Sequence, residues 1–250
     1  AGTSFSNDAS STGIGTIDTT GSASDISGFS VVSYTGNSTS GASIKHGLSS
    51  APEFVFGKAR NTSGEDWFTG HASNGFDKYT KLNSTHTVQT FSGIFNDTAP
   101  TASVLTLGNN GASNASVYNY ILYCFSEVKG FSRFGKYRAN ADSGGDGPFV
   151  YCGFKPSMVI VKNNDLAQGW YMMDNKRDPH NEITKSLSPH NNSAENNSSA
   201  NAGCDFLSNG FKVRAVGTGD INYGSSHDYI FMAWAEAPFT NSKGVPCNGR

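Results

Sequence analysis

Tyr120-Ile121-Leu122-Tyr123-Cys124-Phe125-Ser126-Glu127 and Tyr229-Ile230-Phe231-Met232-Ala233-Trp234-Ala235-Glu236 are two versions of one pattern, and their reading decides the fold. Each is a short aromatic and aliphatic run closed by an acidic residue, which reads as a β-strand. At period two, Ile121/Ile230, Tyr123/Met232 and Phe125/Trp234 share one face, while Leu122/Phe231 and Cys124/Ala233 take the other. Both faces are apolar, so each run is expected to be the middle strand of a packed sheet.

Working outward from that pattern, the chain repeats itself once. Gly28-Phe29-Ser30, followed by Tyr34 and Asn37, returns as Gly130-Phe131-Ser132, followed by Tyr137 and Asn140. Pro52-Glu53-Phe54-Val55-Phe56-Gly57-Lys58 returns as Pro156-Ser157-Met158-Val159-Ile160-Val161-Lys162, and Trp67-Phe68 returns as Trp170-Tyr171. After the last strand, Gly130-Phe131 is answered by Pro238-Phe239. Blocks recurring in one order mark a tandem duplication, and each block is β-branched or aromatic and bounded by Gly, Asn, Asp or Pro. Val55, Val159, Ile160 and Val161 are expected at central positions buried on both sides. No stretch sustains a helical apolar period with caps, so helices are expected only as short turns.

The expected architecture is all-β, with two tandem β-sandwich, jelly-roll-like repeats over residues 28–129 and 130–239. Residues 1–27 are rich in Ser, Thr, Gly and Asp with few large side chains, and read as a flexible N-terminal arm or linker that orders only on docking. Residues 240–250 form a C-terminal tail, and the polar stretch 191–201 is expected to be an exposed loop.

A length of 250 residues leaves room for two modest domains. Lys+Arg (18) nearly balances Asp+Glu (20), so no electrostatic excess is available to hold a phosphate backbone, and nucleic acid is not expected as a partner. The longest apolar cluster, 229–235, is far short of the ~20 residues a bilayer-crossing helix needs, so no membrane insertion is expected. The chain opens at Ala1 without a basic-then-apolar leader, which reads as a processed or excised piece. Cys124, Cys152, Cys204 and Cys247 lack CxxC spacing, which argues against a zinc ribbon. If oxidised they allow three pairings, and Cys124 and Cys152 fit small buried apolar positions in strands.

Three stretches together resemble a known repeat family. They are the run from Gly28-Phe29-Ser30 through Tyr34-Thr35-Gly36-Asn37 and His46-Gly47-Leu48 to Ala51-Pro52-Glu53-Phe54-Val55, the run Asp205-Phe206-Leu207-Ser208-Asn209-Gly210-Phe211-Lys212, and the run from Tyr229 to Phe239. The family occurs in virion structural and tail-fibre-like proteins of marine bacteriophages, including cyanophages. The resemblance implies a bacteriophage virion structural protein: a tail-fibre or receptor-binding segment at the particle surface, contacting a host surface glycan or protein. It further implies a homo-oligomer, with a trimer favoured; the arm, read from its composition, is expected to dock onto other virion proteins. Two alternatives stand beside it, a capsid or tail decoration protein without a receptor role and a secreted carbohydrate-binding module.

No catalytic set, cofactor motif or metal centre is legible. Gly28-Phe29-Ser30-Val31-Val32 lacks the second glycine of a nucleophile elbow, and the histidines (His46, His71, His86, His180, His190, His227) are scattered singly. The carboxylate pairs Glu65-Asp66 and Asp174/Asp178 lie among Lys, Arg and Asn, where solvated turn roles are expected. Asp142-Ser143-Gly144-Gly145-Asp146-Gly147 has calcium-like composition without EF-hand spacing, and reads as a hairpin turn. The sequons at Asn37, Asn61, Asn83 and Asn114 arise readily in so Asn- and Ser-rich a chain. The chain is therefore expected not to be an enzyme. Candidate ligand-contacting residues are Trp67, Trp170, Tyr171, Lys176, Arg177 and His180, because Trp and Tyr beside polar groups hold sugar faces. Repetition of Trp67 and Trp170 in matching strands also fits core roles, which moves the expected contact toward the loops 176–181 and 191–201.

Overall fold

The computed structural model describes residues 2–236. Cys247, the 240–250 tail and the Pro238-Phe239 correspondence lie outside them. Two compact units meet in sequence between Glu127 and Val128, and Asn83–Thr87 groups with the second unit.

The first unit holds β1 (Thr3–Asn7), β2 (Thr19–Ser24), β3 (Phe29–Thr35), β4 (Ser43–Lys45), β5 (Phe54–Ala59), β6 (Phe68–His71), β7 (Lys78–Lys81), β8 (Gln89–Thr90), β9 (Val104–Thr106) and β10 (Asn119–Phe125). Its helical elements are turn-sized, such as α1 (Ala9–Thr12), α2 (Ser92–Phe95) and α3 (Gly111–Asn114). One sheet runs β1-β2-β3-β10-β5-β6-β7-β8 and a second pairs β4 with β9. Val32, Val55, Phe68, Tyr120 and Leu122 from the large sheet share one core with Ile44, Leu105 and Leu107 from the small one, which makes the unit a sandwich.

The second unit holds β11 (Ser132–Arg138), β12 (Phe149–Tyr151), β13 (Pro156–Asn163), β14 (Trp170–Asp174), β15 (Ser186–Leu187), α4 (Ser199–Ala202), β16 (Cys204–Leu207), β17 (Gly210–Val213) and β18 (Asp228–Ala235). Its sheets run β11-β18-β13-β14-β15 and β12-β17-β16, and Val159, Val161, Phe231 and Ala233 meet Val150, Phe206, Phe211 and Val213 in its core. The strand orders β3-β10-β5-β6 and β11-β18-β13-β14 match: in each repeat the last strand lies between the first and the third. The two opening patterns, β10 and β18, are thus middle strands.

A polar knot recurs in both cores. Tyr34 and Tyr120 face each other across β3 and β10 with ring centroids 5.0 Å apart, and Tyr137 and Tyr229 do so across β11 and β18 at 5.1 Å. Tyr34 Oη donates to Ser113 O at 2.6 Å and Tyr137 Oη to Ile221 O at 2.7 Å. The next residues, Asn114 and Asn222, each accept a backbone N–H, from Asn37 and Asn140, and donate to the carbonyls of Gly108 and Ala215. Most buried polar groups are bonded, and through these bonds each asparagine fastens the loop after the first strand to the turn before the last.

The flexible-arm expectation for residues 1–27 is overturned. β1 and β2 form an antiparallel ladder continued onto β3, so the segment widens the large sheet. Composition misled because a ladder is held by main-chain hydrogen bonds, which need no large side chains. Few apolar anchors suffice: Ile17 is buried, and Phe5 and Ala23 pack against the core. Asp8 caps α1 by accepting from Ser10 N and Ser11 N.

The repeated Gly-Phe-Ser openings have a backbone cause. Gly28 (φ 60°) and Gly130 (φ 78°) are left-handed just before β3 and β11, where a Cβ is strained. Gly28→Ala and Gly130→Ala are each expected to lower stability by about 1 kcal/mol in denaturant titration.

Candidate functional site

The outer face of β12-β17-β16 brings side chains together in rows fixed by register. Phe149 lies opposite Lys212, which lies opposite Asp205; Tyr151 lies opposite Gly210, which lies opposite Leu207. The inward alternates Val150, Phe211 and Phe206 fill the core. Period two therefore forces Phe149 and Tyr151 outward, where they are 44% and 64% exposed beside Leu207 at 36%. Each ring leaves part of its apolar area in water, and an exposed apolar patch marks a contact surface. Gly210 keeps the centre flat, since a Cβ there would collide with Val150 O.

The first unit offers an internal control. Its matching pair, β4 and β9, sets Ser43 opposite Thr106 and Lys45 opposite Val104 around the core pair Ile44 and Leu105. Phe149 and Tyr151 thus stand where the first unit has Ser43 and Lys45, although the buried knot is retained. The β4-β9 sheet is two-stranded, whereas β16 adds a third strand with Asp205 and Leu207.

At one end of this face lies a cavity of about 450 Å³, walled by Gly144 and Gly145, Asn181 and Glu182, Ser199 and Ala200, and Asp205 and Arg214. Arg214 Nε donates to Asp205 Oδ2 at 2.7 Å, which fixes the guanidinium on the wall. Nearby, Lys212 pairs with Asp146, whose carboxyl is held below the usual range by that ammonium. Glu182 Oε1 is buried without a hydrogen-bond partner, and Gly203 is crowded against it. Burial, then the neighbouring Asp205 charge, push the Glu182 carboxyl above its ordinary value.

Several features singled out in the sequence converge here. The 142–147 turn supplies Gly144 and Gly145, and its carboxylates serve the turn and the sheet: Asp142 Oδ1 accepts from Gly144 N and Asp146 N, and Asp146 pairs with Lys212. The loops 176–181 and 191–201 supply Asn181, Ser199 and Ala200. Among the described residues, no group of three or more His, Cys, Asp and Glu could hold a metal ion.

The individual candidates fare differently. Trp170 is fully buried and donates its backbone N–H to His190 Nδ1, so it is corrected from a ligand contact to a structural side chain. Tyr171 is likewise corrected, being partly buried and packed against the second core; burial, then the neighbouring Asp220 charge, pushes its phenol well up. Trp67 is half-buried, within 5.9 Å of Phe56 and 6.3 Å of Tyr123, ring centroid to centroid, with Lys58 Nζ 5.8 Å from its ring. Lys176, Arg177 and His180 are exposed, but Arg177 is engaged by Asp174 (2.8 Å) and Glu195 (3.3 Å). His180 lines a separate cavity with Asn175 and Phe206. Other carboxylates considered in the sequence are occupied: Asp66 pairs with Lys81, and Asp178 accepts from Thr184 N and Oγ1.

The sequence reading missed Phe149, Tyr151, Leu207, Glu182, Asp205 and Arg214. Setting Phe149-Val150-Tyr151 against Ser43-Ile44-Lys45 exposes the first two, because the middle residue is apolar in both repeats and the flanks are not. Cys124, Cys152 and Cys204 are buried free thiols, and burial pushes Cys124 up to about 12. Among the described residues, no helix is long and apolar enough to cross a membrane.

No curated protein matches the chain, and no solved structure matches it. A family model described as Domain of unknown function (DUF7483) matches residues 4–238, across both units and including the strands at the N-terminus. The chain belongs to the DUF7483 family.

Proposed function

We propose that this chain is a non-catalytic recognition module of a bacteriophage virion, a tail-fibre or other receptor-binding segment that meets the host cell surface through the outer face of β12-β17-β16. The observation that carries the contact is the exposed pair Phe149 and Tyr151 on a strand whose counterpart in the first unit carries Ser43 and Lys45. A duplicated scaffold whose buried knot is kept while one outer face is rebuilt has put its change where ligands bind. The virion setting rests on the family resemblance of the sequence.

The test is binding of the purified chain to cells of marine bacteria, with light scattering to read its oligomeric state. The proposal expects a trimer that binds cells. It expects the Phe149→Ala/Tyr151→Ala double variant to lose at least about tenfold in cell affinity while staying folded, with a stability loss of about 1–2 kcal/mol from the covered part of the two rings. Retained binding by the double variant would place the contact elsewhere.

A second reading, a particle decoration protein, is favoured by one observation. β1 is an edge strand, and its residues Thr3-Ser4-Phe5-Ser6-Asn7 carry no charge or proline to block a further strand. Pairing of another virion protein with that edge would replace the arm as the attachment.

A further inference from the structure

We infer that the face and its cavity together form a binding site for a neutral, hydroxyl-rich glycan chain, one sugar ring stacking on Tyr151 and Phe149 and a neighbouring sugar entering the cavity beside Glu182, Asp205 and Arg214. This rests on the recognition reading above and adds the ligand class. Sugars present an apolar C–H face and a rim of hydroxyls, and this surface is built in the same two parts. The aromatic pair supplies flat apolar area that stays in water in the free protein. The cavity supplies fixed donors and acceptors. Arg214 is anchored through Nε by Asp205, and the carboxylates of Asp205 and Glu182 are acceptors for sugar O–H groups.

The charge of the cavity wall selects among sugars. Glu182 and Asp205 set two acidic side chains against one guanidinium, so a uronic acid polymer would bring carboxylates toward carboxylates. Glu182 already has a buried oxygen without a donor, which makes further anionic neighbours costlier. A flat protein epitope fits less well, since it would leave the cavity unfilled.

The experiment titrates the full chain with cello-, laminari- and chito-hexaose and with guluronate and mannuronate hexamers, by calorimetry, with cell binding measured in parallel. The expected result is saturable binding of at least one neutral hexamer, no binding of the uronates, a loss of about tenfold in Tyr151→Ala, and a loss of about threefold or more in Glu182→Gln with an unchanged melting temperature. Binding of uronates in preference, or of no neutral hexamer at millimolar concentration, overturns the inference. Cell binding that requires Tyr151 but survives periodate oxidation of the cells also overturns it, while leaving the recognition reading standing; absence of any cell binding removes that reading itself.

Discussion

Asn114→Ala is expected to destabilise the first unit by about 3–5 kcal/mol, a loss of stability out of proportion to the atoms removed. Asn114 is fully buried, and its amide accepts from Asn37 N at 2.9 Å while its two N–H groups donate to Thr39 O at 3.0 Å and Gly108 O at 2.9 Å, with Asn37 Oδ1 sharing one of them at 3.3 Å. Alanine strips the buried Gly108 O of its donor and the part-buried Asn37 N–H of its acceptor, each unmet group costing ~1–3 kcal/mol, while Thr39 O keeps Ala42 N and Asn37 Oδ1 keeps Thr39 N. Asn114→Asp does not rescue, because a carboxylate cannot donate to Gly108 O and would be a buried charge. The equivalent change Asn222→Ala is expected to cost less, about 2–3 kcal/mol, since its amide bonds Asn140 N and Ala215 O without the additional bonds that Asn114 makes. Denaturant titration of the three variants checks both the size and the order. Equal, small losses would show that the knot is ornamental.

Lys162→Met is expected to stabilise the protein by about 2 kcal/mol at pH 7, an unusual gain for the removal of a charge. Lys162 is fully buried between Trp170 and Ile230 of the neighbouring strands, and its ammonium has the carbonyls of Asn163 and Leu166 as hydrogen-bond acceptors. Burial pulls its pKa from 10.5 down to about 8, with Asp165 only partly opposing, and that displacement corresponds to about 3 kcal/mol of cost while the amine stays protonated. Methionine removes the cost and gives back about 1 kcal/mol by stripping the two carbonyls of their donor.

The sign follows from proton binding. Between pH 8 and 10.5 the unfolded chain holds a proton on Lys162 that the folded chain has released, so the parent gains stability as pH rises through that window. The advantage of the variant should therefore shrink to near zero by about pH 10. Buried Tyr34, Tyr137, Cys124 and Cys204 have raised pKa values and act in the opposite sense, losing stability above about pH 9–10, but they are common to both proteins. The difference between variant and parent isolates Lys162. A gap that stays constant from pH 7 to 10 would contradict a buried ammonium.

What was legible in the sequence was what periodicity records. β10 and β18 announce themselves because a middle strand must be apolar on both faces, and Tyr34/Tyr137 and Tyr120/Tyr229 recur because one buried stacking pair is needed twice. Their partners Asn114 and Asn222 were invisible: a buried asparagine in a turn looks like any surface asparagine, and Asn114 even stands in a sequon. β1 and β2 were missed for a related reason, since main-chain pairing leaves little trace in side-chain composition. The candidate site was half legible. Its loops drew notice through their polarity, while Phe149 and Tyr151 read as ordinary strand aromatics until register assigned them to the outer face. Trp170 is a core ring, and size and repetition alone do not tell a core ring from a contact ring.

The most direct test of the recognition face is tyrosine-specific chemical modification of the intact chain, read by peptide mass spectrometry with and without envelope from a bound host. Tyr151 (64% exposed) and Tyr223 (41% exposed) both react in the free protein, and Tyr223, on the turn before β18, is the internal control. The account predicts that envelope protects Tyr151 and leaves Tyr223 as reactive as before; Tyr151 equally reactive in both states, with the protein demonstrably bound, would contradict it.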